Sequence, residues 1–239
     1  MTQNKQTWKL TGLGIIFILF GLVCDIIIQN FGILTLHLSA KFLNLNENTW
    51  APILLMLMMI GGLLYITLTY MKKFIQLVAP DNKMEPFKRK ETGWIFKGYG
   101  LIILAGMLVT VIKMITVGHN VEPANQLALV QMTKLGIAYK IYLICLSVIL
   151  APLLEEAIFR GVLMNYFFKN LSWWINVLLS GIAFGLFHVI AQPFQLMALI
   201  QYSLTGVVLA IVYKKTQRLQ YSMAAHCLNN SIAILILLT

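Results

Sequence analysis

The chain has 239 residues, of which 59% are hydrophobic and only 11% are charged. Soluble domains carry roughly a quarter charged residues, so this deficit excludes a water-soluble globule, a disordered tail and a fibrous repeat. Lys and Arg number 18 against eight Asp and Glu, a net charge of +10, which without interleaved aromatics argues against nucleic acid and fits basic loops at an anionic leaflet of a lipid bilayer.

The expected fold is all-α, a polytopic membrane helix bundle with about seven transmembrane helices. A spanning helix needs roughly 20 apolar residues. In chain order the candidates are 10–28, 51–71, 95–117, 136–158, 174–191, 194–213 and 221–238. Lys5 and Lys9 precede the first as they would in a signal peptide, but no small-residue cleavage site follows, so it reads as a retained helix. Asp25 is expected near its outer end, within reach of the interface, and His37 in the outer loop beyond. A basic loop at 72–93 with Lys72, Lys73, Lys83, Lys88, Arg89 and Lys90 separates the second and third spans. His119 follows the third in another outer loop. The fourth is expected to continue as an amphipathic helix to about Lys169, kinked by Pro152. Gln192-Pro193 breaks the fifth from the sixth. Lys214, Lys215 and Arg218 lie between the sixth and the seventh. The positive-inside rule then places the N-terminus in the cytoplasm and the C-terminus outside, in a multi-pass protein of the cell membrane. Cys24, Cys145 and Cys227 form neither a disulfide framework nor a metal spacing.

Polar residues inside the spans carry the chemistry. Glu155 and Glu156 are adjacent in an apolar helix, where a carboxylate costs roughly 2.5–3.5 kcal/mol on insertion scales. Glu156 and Arg160 are spaced i, i+4, so they can form an ion pair on one face. Glu155 points about 100° away, toward a different neighbour. This divides the labour between a structural Glu156–Arg160 pair and a working Glu155. The alternative is that all three mark the cytoplasmic helix end. His188 lies in the fifth span, and His226 and Asn230 share a face of the seventh. A single intramembrane histidine is most often a helix–helix hydrogen bond; two histidines with a carboxylate and an amide are harder to read that way. Glu155 and His188 are nearly equidistant from the Asn170-Leu171 turn, so antiparallel helices set them level. His226 reaches that level only if the seventh helix starts early, near Thr216, or if the fourth and fifth project beyond the membrane.

These residues form an ordered set: Glu155-Glu156-x-x-x-Arg160, Phe184-x-x-x-His188, then His226-x-x-x-Asn230. The set resembles the CAAX protease and bacteriocin-processing (CPBP, or Abi) family of intramembrane endopeptidases, over about residues 136–238. The resemblance implies a catalytic four-helix core at 136–239, preceded at 1–135 by three variable spans with a basic cytoplasmic loop. It implies peptide-bond hydrolysis in a membrane-associated peptide or protein. Glu155 would activate water, helped by His188, and His226 and Asn230 would stabilise the oxyanion. Arg160 would hold Glu156, and Phe184 would line the cavity. A divalent metal such as zinc is open: Glu155, His188 and His226 offer a ligand set, but no His-Glu-x-x-His helix is present and Asn is a poor zinc ligand. The bacterial members imply peptide maturation or bacteriocin self-immunity. A CAAX prenyl endopeptidase is the reading for a eukaryotic or archaeal source.

Other classes fare less well. An intramembrane aspartyl protease needs two membrane aspartates, and only Asp25 and Asp81 exist. A rhomboid needs Gly-x-Ser-Gly, and Ser180-Gly181 lacks the first glycine. A non-catalytic immunity or regulatory protein is the main rival. A transporter using Glu and His as a proton relay is the third, without the internal repeat that such folds carry.

Overall fold

A computed structural model describes residues 2–78, 86–117, 124–168, 170–191 and 193–239, with side chains from residue 12 onward except at 78, 117, 124 and 125. Asp81, Lys83, His119, Lys169 and Gln192 lie outside the described residues. Among the described residues the chain forms eight helices: α1 (Thr2–Leu43), α2 (Trp50–Val78), α3 (Arg89–Val117), α4 (Ala124–Thr133), α5 (Ile137–Phe167), α6 (Trp173–Val189), α7 (Leu196–Thr216) and α8 (Leu219–Leu238). Six are long and apolar enough to cross a membrane, and α6 is a shorter apolar helix. The all-α, roughly seven-helix membrane bundle expected from hydropathy is therefore present.

Several boundaries move. The first helix does not stop near residue 28 but runs to Leu43. No proline interrupts it, and Ile33–Leu43 keeps an apolar, helix-competent sequence. His37 therefore sits in the last turns of α1 rather than in a loop. Asp25 falls in mid-helix, 1% exposed, and is not at an interface. Its burial follows from the face it occupies: Gly14, Gly21, Asp25, Ile28, Gly32, Leu36 and Ala40 form the buried stripe of α1. Likewise α2 absorbs Lys72 and Lys73, and α3 begins at Arg89, so the basic loop is shorter than expected. The short α4 has no counterpart among the expected spans, because ten residues cannot cross a bilayer.

Contacts at the two ends fix the helix directions. At one end the Lys88 backbone N–H donates to the Tyr221 hydroxyl at 2.7 Å, and Lys215 lies over the Trp173 ring. At the other, Asn48 Oδ1 accepts from the Ala138 N–H at 3.0 Å and so caps the start of α5. Gly136 precedes that cap at φ 129°, a conformation that disfavours any side chain, and an added Cβ would strike Asn48. Large apolar side chains such as Ile16, Met58, Leu104 and Ile236 point outward, as a lipid-facing surface requires. The core runs along α5, through Leu150, Leu154, Ala157, Ile158 and Val162.

Candidate active site

The site is built around an irregular α5. Its backbone widens into π-helical turns at Cys145–Leu150 and Ala157–Phe167, leaving a regular α-helical segment at Ala151–Glu156 between them. Pro152 gives a physical reason for the first. The Ala151 N–H reaches back to the Leu146 carbonyl, so the Ser147 carbonyl would need the N–H of residue 152. Proline has none. Asn230 Nδ2 from α8 donates to that carbonyl instead, at 2.8 Å. Pi-bulges recur at functional sites because they re-aim side chains. Here they bracket Glu155 and Glu156.

The two glutamates point to different partners. Glu156 and Arg160 are both fully buried, and Arg160 Nη1 donates to Glu156 Oε1 at 2.9 Å. Arg160 Nη2 donates to the Gly206 carbonyl of α7 at 2.6 Å, and its guanidinium lies 5.0 Å from the Phe184 ring centre. The two charges face each other and are held between helices, although Glu156 Oε2 and Arg160 Nε make no hydrogen bond among the described residues. Glu155 is 4% exposed, and its Oε2 accepts no hydrogen bond among the described residues. His188 Nε2 lies 3.9 Å and His226 Nε2 3.8 Å from that oxygen. These gaps are too long for direct hydrogen bonds and suit one bridging water.

Each imidazole is held by its other nitrogen. His188 Nδ1 is 2.9 Å from the Phe184 carbonyl, so that nitrogen carries the proton and Nε2 presents a lone pair. Its ring stacks on Tyr202 at 4.5 Å and tilts over Phe184 at 4.5 Å. His226 Nδ1 is 3.2 Å from Glu156 Oε1, and Nε2 faces Glu155. Phe184 packs edge-on to His226 and so touches both histidines.

Five of the six residues singled out from the sequence (Glu155, Glu156, Arg160, His188 and His226) thus converge, and Asn230 braces the π-turn beside them. His226 Nε2 comes within 3.8 Å of Glu155 Oε2 although α8 starts at Leu219 and not near Thr216, which ends α7. Tyr202, the Gly206 carbonyl and the Ser147 carbonyl were not legible in the sequence. Backbone groups carry no residue signature, and a tyrosine in an apolar helix reads as packing. Asn165 was missed as well: its Nδ2 donates to the Arg160 carbonyl at 2.8 Å and to the Tyr213 hydroxyl at 2.8 Å, bracing the second π-turn.

The donor set was tested against a metal. In a tetrahedral zinc site neighbouring ligand atoms stand roughly 3.4 Å apart. The glutamate–histidine separations here are wider, and no group of three His, Cys, Asp or Glu among the described residues is arranged to hold a metal ion. As placed, the side chains do not fit a bound metal.

Comparison with known proteins adds a family. Residues 137–232 match the model of the type II CAAX prenyl endopeptidase Rce1-like family. A protein of Bacillus subtilis (strain 168) named "Putative membrane peptidase YdiL" is 24% identical over 142 residues, covering 59% of this chain and 54% of its own. The "UPF0177 protein YaiH" of Lactococcus lactis subsp. lactis (strain IL1403) is 38% identical over 84 residues, 35% of this chain and 33% of its own. The chain thus spans about half the length of one relative and a third of the other. No solved structure matches it. The matched segment contains every motif on which the resemblance was drawn.

Proposed function

From a chain whose residues 137–232 carry the Rce1-like family match, a match that supports a protease in a multi-pass membrane protein, we propose a metal-independent intramembrane endopeptidase that uses Glu155 as its working carboxylate. The observation that carries this reading is the unpartnered, buried Glu155 Oε2 facing two imidazole nitrogens at 3.8 and 3.9 Å. The adjacent Glu156 is spent on Arg160.

The chemistry follows from the donors. A water between Glu155 and His188 gives one proton to Glu155 Oε2 and is oriented by the lone pair on His188 Nε2. Its oxygen bonds to the scissile carbonyl carbon, and the carbonyl oxygen becomes an oxyanion. His226, as the imidazolium whose Nδ1–H is donated to Glu156 Oε1, donates from Nε2–H to that oxyanion. Asn230 has two N–H groups; one holds Ser147, and the other is left for the same oxygen. Glu155 then passes its proton to the amide nitrogen as the C–N bond breaks. The products are a carboxylic acid and an amine, which between them become a carboxylate and an ammonium when the remaining water proton passes to the amine.

The substrate is a membrane-associated peptide or protein. Both relatives are bacterial, which favours peptide maturation or bacteriocin self-immunity as the physiological role. The N-terminus is assigned to the cytoplasm and the protein to the cell membrane by its basic end. The test compares new peptide termini in membranes of cells carrying the wild-type chain, Glu155→Gln or His188→Ala. We expect termini that appear only with wild type. Identical termini in all three strains, with immunity or signalling intact in the variants, would establish the non-catalytic rival.

A further inference from the structure

We propose that Tyr202 of α7 is a positioning residue of this site: its ring, stacked on His188, fixes the plane of the imidazole and so aims Nε2 at Glu155. The inference rests on His188 as the group that orients the water. It adds a helix that carries none of the residues singled out from the sequence.

The histidine is gripped from two sides. The Tyr202 ring lies 4.5 Å from the imidazole centre at 24° to its plane, and the Phe184 ring lies 4.5 Å away at 33°. Two near-parallel rings at that separation do not fit on one face, so they sandwich the imidazole. Phe184, and its carbonyl that accepts from His188 Nδ1 at 2.9 Å, belong to the same helix as His188, one turn back. Tyr202 holds the ring from a second helix. The outer torsion of a histidine side chain is broad. A modest turn about it swings Nε2 from its place 3.9 Å from Glu155 Oε2.

Backbone contact seats Tyr202. α6 and α7 run antiparallel: Gly206 lies against Phe184, and one turn further along the pair Tyr202 meets His188. An added Cβ on Gly185 would stand 2.8 Å from the Ser203 nitrogen and 2.9 Å from the Leu199 carbonyl oxygen, so the two main chains touch at this level. The place of Tyr202 is therefore set by main chain and not by side chains that can yield. Tyr202 and Gly206 are spaced i, i+4 and share a face of α7. The Gly206 carbonyl holds Arg160 and the Tyr202 ring holds His188, so one face of α7 aligns both halves of the site. An aliphatic side chain fills space but offers no flat face to an imidazole.

The test reads the imidazole and needs no substrate, so its failure is separable from failure of the endopeptidase reading. Full-length protein carrying isotope-labelled histidine is placed in phosphatidylcholine liposomes. The C–H order parameter of the His188 ring is measured by solid-state NMR, its signal being the one absent from His188→Ala. We expect a rigid ring in wild type and in Tyr202→Phe, which keeps the stack, and a mobile ring in Tyr202→Leu, which does not. Should Tyr202→Leu not insert, Tyr202→Met is the unstacked variant. On a cleaved peptide the unstacked variant is expected to lose about tenfold in kcat at unchanged KM, with Tyr202→Phe restoring it. A His188 ring as rigid in the folded unstacked variant as in wild type overturns the proposal, as does equal mobility in Tyr202→Phe.

Discussion

Glu155 and Glu156 are consecutive, yet their surroundings differ. Glu156 is tied through Oε1 to Arg160 and to His226, whereas Glu155 makes no hydrogen bond through its Oε2 among the described residues and faces two imidazoles with it; Glu156 Oε2 is likewise buried without a hydrogen bond. Arg160→Ala leaves Glu156 as an uncompensated buried charge, and breaking such a pair costs about 3–5 kcal/mol. A large fall in unfolding temperature for the purified variant in detergent checks this, and Glu155→Gln is expected to leave that temperature nearly unchanged. A second acid works at the far end of the bundle. Glu47 Oε1 pairs with His37, and its Oε2 accepts from the Tyr139 hydroxyl at 2.8 Å. Partial burial pushes its carboxyl up, but the bonds from His37 and Tyr139 outweigh this and hold it below its usual 4.5. A carboxyl so depressed stabilises the fold fully above pH 4.5 and loses that contribution as pH falls through its folded value. Thermal unfolding from about pH 6 to about pH 3 should therefore show a wild-type loss that Glu47→Gln lacks.

At the scale of elements, the site depends on how α5 is distorted and how closely α6 and α7 approach. An added Cβ on Gly181 would lie 2.7 Å from the Val207 nitrogen and 2.9 Å from the Ser203 carbonyl, both backbone atoms that cannot give way. Gly181→Ala must part the two helices, moving the Gly206 carbonyl from Arg160 and Tyr202 from His188. Overpacking of this kind costs about 1–3 kcal/mol, and cleavage should fall with stability, measured on the same sample. The spans were legible because hydropathy reports burial in lipid directly. Their ends were not: α1 passes its expected stop by 15 residues (28 to 43) since apolar sequence continues without a break. The i, i+4 pair Glu156–Arg160 was legible because helical spacing alone sets it. The π-turns were not: the first arises from a proline whose effect falls on a carbonyl five residues earlier, and the second has no proline to mark it. Asp25 was misplaced for the same reason as the end of α1: a helix drawn too short puts its middle at an interface.

For the whole molecule, the seven apolar helices place the N-terminal basic residues, Lys88–Lys90 and Lys214–Arg218 at one end, with the 44–49 turn and Gly136 at the other. If the basic end is cytoplasmic, a cysteine at Lys215 is shielded from an impermeant maleimide added to intact cells, and one at Asn46 is labelled. The reverse pattern would invert the topology. The candidate site lies within the bundle where α5, α6 and α8 meet. The most direct measurement is the cleavage rate of a peptide found to be processed by the wild-type protein, with wild type and Glu155→Gln in matched proteoliposomes. Loss of a general base lowers such a rate by about 10²–10⁴-fold, and we expect a fall in that range with the unfolding temperature retained. A folded Glu155→Gln that cleaves at the wild-type rate would contradict the assignment of Glu155 as the working carboxylate.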